Sequence, residues 1–87
     1  MRSSQDPSLL KAFASELKAL RATLGMSQEE LAFLAALNRT FVAKLELAKT
    51  SPSLSTLFRL SDGLSVEPWE LILAVQKRYE VERRSKN

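Results

Sequence analysis

Residues 27–46 read SQEELAFLAALNRTFVAKLE, twenty positions with neither glycine nor proline. Apolar residues recur at Leu31, Leu34, Ala35, Phe41, Val42 and Leu45, spacings that suit one face of a helix. Periodicity alone does not separate one long helix from two short ones, because only Asn38 interrupts that face. Asparagine is a poor residue inside a helix and a strong one at its start, since its side chain competes for backbone donors. Placing Asn38 as the cap of a new helix removes the conflict. It also turns Leu37, which lies off the face, into a core residue of the connection. The reading is two helices, about 28–35 and 39–47, joined by a tight turn.

The flanking sequence continues the helical pattern. Residues 1–8 are polar and contain Pro7, and are expected to form a flexible tail. Leu9, Phe13, Leu17, Leu20 and Leu24 then share a face. Gly25 supplies a stop, being the residue best able to take a left-handed backbone. Ser27 and Glu30 have the spacing of a capping box at the next helix start. After the loop KTSPSLS, Leu54, Leu57, Leu60 and Leu64 repeat at helical spacing, flanked by Phe58, to an end near Gly63 and Leu64. Pro68 suits the first turn of a fifth helix, where its missing N–H does no harm. The sum is an all-α chain of five helices: one domain over 9–75, with a charged, fraying helix end over 76–87.

Composition narrows the chemistry. With 87 residues the chain can build one small core. Hydrophobic residues at 45% and charged ones at 26% fit an ordinary globular protein. The absence of cysteine excludes disulfides and thiolate metal sites, and the absence of histidine removes the commonest general base and metal ligand. Glu29 and Glu30 have no nucleophile or metal ligand beside them, and both suit a helix start. The expectation is a protein that is not an enzyme and that uses no cofactor and no metal. The first eight residues lack the apolar run of a signal peptide, and the longest apolar run, 71–75, is too short to span a bilayer. A soluble intracellular protein with no membrane partner is expected. The net charge of +3 is compatible with nucleic acid without requiring it.

The runs LRATLGMSQEELAFLAALNRTFVAKLE and SPSLSTLFRLSDGL together resemble the helix-turn-helix domain of phage Cro and repressor proteins. The elements in register are Arg21, Gly25, Ser27 and Gln28, Ala32, and the Leu45–Glu46 pair. In such a pair of helices Ala32 is small because the two cross there. Leu31, Ala35, Leu37, Val42 and Leu45 are expected to fill the wedge between them. Two positions depart from the pattern. Ala36 stands where glycine is frequent, at a strain of roughly 1 kcal/mol if the backbone is left-handed. Glu46–Leu47–Ala48 replaces the usual Glu-x-Gly.

The resemblance implies a double-stranded DNA partner, with the second helix of the motif entering a major groove about 12 Å wide. Its base-reading positions fall on Arg39, Thr40 and Lys44, headed by the cap Asn38. Arg39 can fork to the acceptors of guanine, and Thr40 can serve a base edge or a thymine methyl. Gln28 matches a phosphate-bonding position, reinforced by the free amides of the helix start. Lys49 and Ser51 are further phosphate candidates, and Phe41 is divided between core and DNA. Arg21 and Glu46 are paired by the resemblance as a structural tie from the first helix to the third.

Six of the seven residues 69–75 are apolar. Trp69, Ile72, Val75 and Tyr79 make one stripe of the fifth helix, with Leu71 and Leu73 off it. A domain this small covers one side of that helix only. Trp69, Leu71, Ile72, Leu73 and Val75 are therefore expected at a homodimer interface. The reading that the resemblance implies is a sequence-specific transcription regulator, cytoplasmic, bacterial or phage-derived and nucleoid-associated, acting as a homodimer on an inverted repeat. The alternative is a protein-interaction adaptor or antitoxin-like partner that keeps the fold with weak or no specific DNA binding.

Overall fold

The computed structural model describes residues 5–85. Among these the chain forms α1 (Pro7–Thr23), α2 (Gln28–Leu34), α3 (Arg39–Glu46), α4 (Leu54–Gly63) and α5 (Pro68–Arg84), with no strand. The core joins all five: Ala12, Phe13 and Leu17 of α1; Leu31, Ala32 and, just past its end, Ala35 of α2; Val42 and Leu45 of α3; Leu60 and Leu64 at α4; Leu71 and Val75 of α5. Helix α1 packs most extensively on α5, and α2 packs most extensively on α3.

Helix α1 starts two residues earlier than its apolar pattern suggests. Pro7 occupies its first turn, and Asp6 caps it, accepting from the Ser8 amide at 2.9 Å and the Leu9 amide at 3.3 Å. A proline with preset φ behind an acidic cap is a helix start, not a tail. Of the expected tail, residues 5–8 are therefore ordered structure, and Ser8 is buried. Residues 1–4 lie outside the described residues. On the expected α1 face, Phe13 and Leu17 are buried and Leu20 is half-buried, whereas Leu9 and Leu24 are exposed.

The 27–46 stretch is two helices. The Asn38 Oδ1 accepts from the Thr40 amide at 2.7 Å and starts α3, while Leu37 packs against the core. Ser27 and Glu30 exchange the two bonds of a capping box at the head of α2. Leu31, Ala35, Val42 and Leu45 fill the wedge, each with 2% exposure or less.

Four consecutive helices close the same way. After α1 the Met26 amide donates to the Arg21 carbonyl and the Gly25 amide to the Ala22 carbonyl. The same pair of bonds follows α2 (Leu37 to Ala32, Ala36 to Phe33), α3 (Lys49 to Lys44, Ala48 to Leu45) and α4 (Val66 to Ser61, Ser65 to Asp62). Each closure needs one residue in the left-handed region. Those residues are Gly25 (φ +64°), Ala36 (φ +56°), Ala48 (φ +58°) and Ser65 (φ +58°). Alanine and serine thus take the conformation that glycine would take without strain.

Gly63 has another use. A Cβ there would lie 3.2 Å from the Ala35 backbone nitrogen and 3.3 Å from the Leu31 Cδ1. Its missing side chain lets α4 approach the end of α2.

Helix α5 is rotated relative to the stripe read from its sequence. Leu71, at 1% exposure, and Val75, at 7%, point into the core, while Trp69, Ile72 and Leu73 face outward at 64%, 47% and 44%. The charged end continues the helix to Arg84. Its second half is tied to α1 by Arg78–Glu16 at 2.7 Å, Tyr79 Oη–Asp6 Oδ2 at 2.6 Å and Lys11–Glu82 at 3.9 Å. Residues 86 and 87 of the expected charged end lie outside the described residues.

Candidate nucleic-acid interface

Behind α3 lies a polar network with a buried carboxylate at its centre. Arg21 Nε donates to Glu46 Oε2 at 2.7 Å and Arg21 Nη2 to Glu46 Oε1 at 3.0 Å. Arg21 Nη1 donates to the Met26 carbonyl at 2.8 Å, and Gln28 Nε2 reaches Glu46 Oε1 at 3.0 Å. Glu46 is only 4% exposed, so these bonds replace its water. The hydrogen bond to Glu46 raises the Arg21 pKa, outweighing the opposite effect of burial, so Arg21 stays charged. Arg21 and Glu46 are thus an ion pair between α1 and α3, made through the planar fork that suits a carboxylate.

In front of the network, the head of α3 is open to solvent. Asn38, Arg39, Thr40 and Lys44 are all exposed. Because the Asn38 oxygen is used on the Thr40 amide, the group it leaves outward is its amide nitrogen, a donor. Arg39, Lys44 and Lys49 take part in none of the ion pairs among the described residues. This surface therefore offers donors and positive charge, with the Thr40 hydroxyl and methyl beside them. Such a surface suits phosphates and acceptor-rich base edges.

Gln28, the expected phosphate contact, is not a freely solvated amide. It is half-buried, and one of its N–H groups is held by Glu46. Helix α2 has only seven residues, and its Ser27 cap already serves the Glu30 amide. The expected reinforcement by free amides is correspondingly reduced. Lys49 is exposed in the loop after α3, but its backbone amide is used in the helix closure. Ser51 is exposed and lines a groove with Leu9, Pro52, Leu57 and Ile72, facing α1 and α5 rather than the head of α3. Phe41 is half-buried against the core.

On the α5 side, Leu71 and Val75 belong to the core of the single chain and are not available to a partner. Trp69, Ile72 and Leu73 remain exposed. Two residues that the sequence reading did not place on the surface are also exposed: Leu9 borders one groove with Ile72, and Phe58, 53% exposed, borders a shallow depression with Pro68. No sequence signal separates them from core leucines and aromatics, since they share the spacing of the buried faces. Phe33, at 83% exposure, and Leu34, at 51%, form a separate apolar pair on α2. Among the described residues no group of acidic side chains could hold a metal ion, and no helix is long and apolar enough to cross a membrane.

Comparison with known proteins agrees with this architecture. The family model described as helix-turn-helix matches residues 17–71. A Neisseria hypothetical transcription factor, from Neisseria meningitidis serogroup B, is 33% identical over 70 residues, which are 80% of this chain and 66% of that protein. The chain thus spans slightly under two thirds of that relative's length. The crystal structure of the restriction-modification controller protein C.AhdI from Aeromonas hydrophila is 40% identical, covers 71% of this chain and 94% of its own, and superimposes with a TM-score of 0.69. The restriction-modification controller protein C.Esp1396I, seen as a tetramer in complex with its natural 35 base-pair operator, is 27% identical. It covers 82% of this chain and 93% of its own, with a TM-score of 0.75.

Proposed function

Because the chain belongs to the helix-turn-helix family, a family of transcription regulators and not of enzymes, we propose that it binds double-stranded DNA sequence-specifically and regulates transcription by occupying a promoter. The observation that carries this reading is the open head of α3: Asn38, Arg39, Thr40 and Lys44 project together, without ion-pair partners among the described residues. Arg39 and Thr40 read base edges, Lys44 lies one turn further along the groove, and Gln28 and Lys49 bind phosphates. Likeness to two restriction-modification controllers, one of them bound to its operator, supports a small controller acting wherever the cell's DNA lies, which is the cytoplasm in a bacterium.

The working form is a homodimer on an inverted repeat. Trp69, Ile72 and Leu73 are exposed on one helix, and Leu9 borders a groove with Ile72, an apolar surface of the kind that suits an interface. A two-fold dimer gives one α3 to each half-site, and dimers of this motif read half-sites about 34 Å apart on one face of the duplex. Selection from randomised duplex DNA tests the reading: an enriched palindrome is expected. The exposed Phe33 and Leu34 favour a second reading, an interaction module or antitoxin-like partner. That reading gains if selection enriches nothing and binding barely responds to salt.

A further inference from the structure

The orientation of the Gln28 amide follows from its neighbour. Glu46 Oε1, at 3.0 Å, belongs to a carboxylate that already takes two bonds from the Arg21 guanidinium. An ionised carboxylate only accepts, so the Gln28 atom facing it is the nitrogen. One of the two N–H groups is then occupied, and the second remains available on a half-buried side chain at the head of α2. We infer that Glu46 is a positioning residue for DNA binding, holding the Gln28 amide in one orientation so that its second N–H meets a phosphate oxygen. The inference rests on the reading of Gln28 as a phosphate contact.

Three physical effects favour this arrangement. The bond to an ionised acceptor is stronger than one between neutral groups, so the amide stays in place in the free protein. A long side chain that is already ordered loses less rotamer freedom when the ligand arrives. Arg21 neutralises the carboxylate, which unpaired would repel a nearby phosphate. The network also spans three helices, with Arg21 on α1, Gln28 on α2 and Glu46 on α3. It therefore sets the phosphate-facing amide of α2 in register with the base-reading head of α3. A tie that only held the fold together would need Arg21 and Glu46, but not Gln28.

Two measurements on the full chain test this. Nuclear magnetic resonance of the free, unmutated protein should show the Gln28 side-chain amide restricted in motion, with one slowly exchanging proton, unlike exposed Gln76. A Gln28 amide as mobile as that of Gln76 overturns the inference without touching the DNA-binding reading. The second measurement is a double-mutant cycle on a selected duplex and on an unrelated one, below the melting temperature of every variant. Glu46→Gln and Gln28→Ala should each weaken both duplexes alike, by about 3- to 10-fold, as expected for one hydrogen bond. The double variant should bind no more weakly than Gln28→Ala alone. Losses that multiply, or a Glu46→Gln loss confined to the selected duplex, overturn the positioning role. If Glu46→Gln does not fold, the resonance measurement decides alone. A parent chain with no salt-dependent duplex binding overturns the DNA reading and this inference with it.

Discussion

Arg21 and Glu46, 25 positions apart in sequence, meet through two hydrogen bonds of 2.7 and 3.0 Å and join α1 to the last residue of α3. The Glu46 side chain is almost wholly buried, whereas Arg21 keeps about a fifth of its side-chain surface in water. The two partners are therefore unequal. Glu46→Ala leaves a cation and an amide facing a cavity, and is expected to destabilise the fold by about 3 kcal/mol, at the lower end for a broken buried pair because Arg21 can still reach solvent. Arg21→Ala strands the buried carboxylate and should cost more. Denaturant melts of the two variants check the order, and equal midpoints for Glu46→Ala and the parent would mean that the pair contributes nothing.

The helix ends predict substitutions that raise stability. Ala36, Ala48 and Ser65 adopt the left-handed backbone with a side chain attached. Replacing each by glycine should stabilise the chain by about 0.5–1 kcal/mol, the relief of strain being partly offset by the greater freedom of an unfolded glycine. Gly25→Ala should do the reverse by about 1 kcal/mol. Gly63→Ala is a different case, since its Cβ would press on the Ala35 backbone, and a loss of about 1–3 kcal/mol is expected. Thermal melts of the five single variants should separate into these groups.

For DNA, Arg39→Ala should weaken specific binding by about 1–3 kcal/mol and relax the preference at one base pair per half-site. Lys49→Ala should weaken all sequences similarly and reduce the slope of affinity against salt by about one ion. Selection profiles and salt titrations distinguish the two. An Arg39→Ala profile identical to the parent's would remove Arg39 from base readout.

The rotation of α5 divides its apolar residues into two classes with opposite expected behaviour. Leu73→Glu places a charge on an exposed face and should yield a folded monomer. Leu71→Glu buries an unpaired carboxylate in the core and should unfold the chain. Sedimentation at micromolar concentration and circular dichroism report the two outcomes. A parent that sediments as a 9.8 kDa monomer without DNA would refute the homodimer.

The tie between α1 and α5 has a pH window. The hydrogen bond from Tyr79 lowers the Asp6 pKa, and the same bond raises the Tyr79 pKa. A lowered acid contributes stability that is present above its unfolded value and lost as pH falls through its folded one. A raised phenol contributes stability that is present below its unfolded value and lost as pH rises through its folded one. The contact therefore acts between about pH 4 and pH 10 and fades outside that range. Tyr79→Phe should lower the melting temperature inside the window and leave it little changed at either extreme.

Much of the architecture was legible from local chemistry. The Asn38 cap, the Ser27–Glu30 capping box, the Gly25 stop and the Pro68 start each depend on atoms a few residues apart, so sequence spacing contains the whole interaction. The open head of α3 follows from the same cap, which sets where that helix begins and so which side chains lie on its first turn.

The partners of distant groups were not legible in this way. The hydrogen bond that Tyr79 donates to Asp6, 73 positions away, has no signal in the sequence. The sequence reads Gln28 as a phosphate contact but does not show that Glu46, at the far end of α3, holds its amide. Leu71 and Leu73 have the same chemistry two positions apart, and only the packing of α5 on α1 and α4 decides which is buried. Gly63 likewise reads as a helix stop, yet the close approach of α2 is what requires it. Sequence alone determined the five helices, the Ser27 and Asn38 caps and the family, because these depend on short-range hydrogen bonds and side-chain periodicity. The tertiary structure decided the rotation of each helix about its axis, and with it which apolar and polar residues stay exposed, because that rotation depends on packing between residues far apart in the chain.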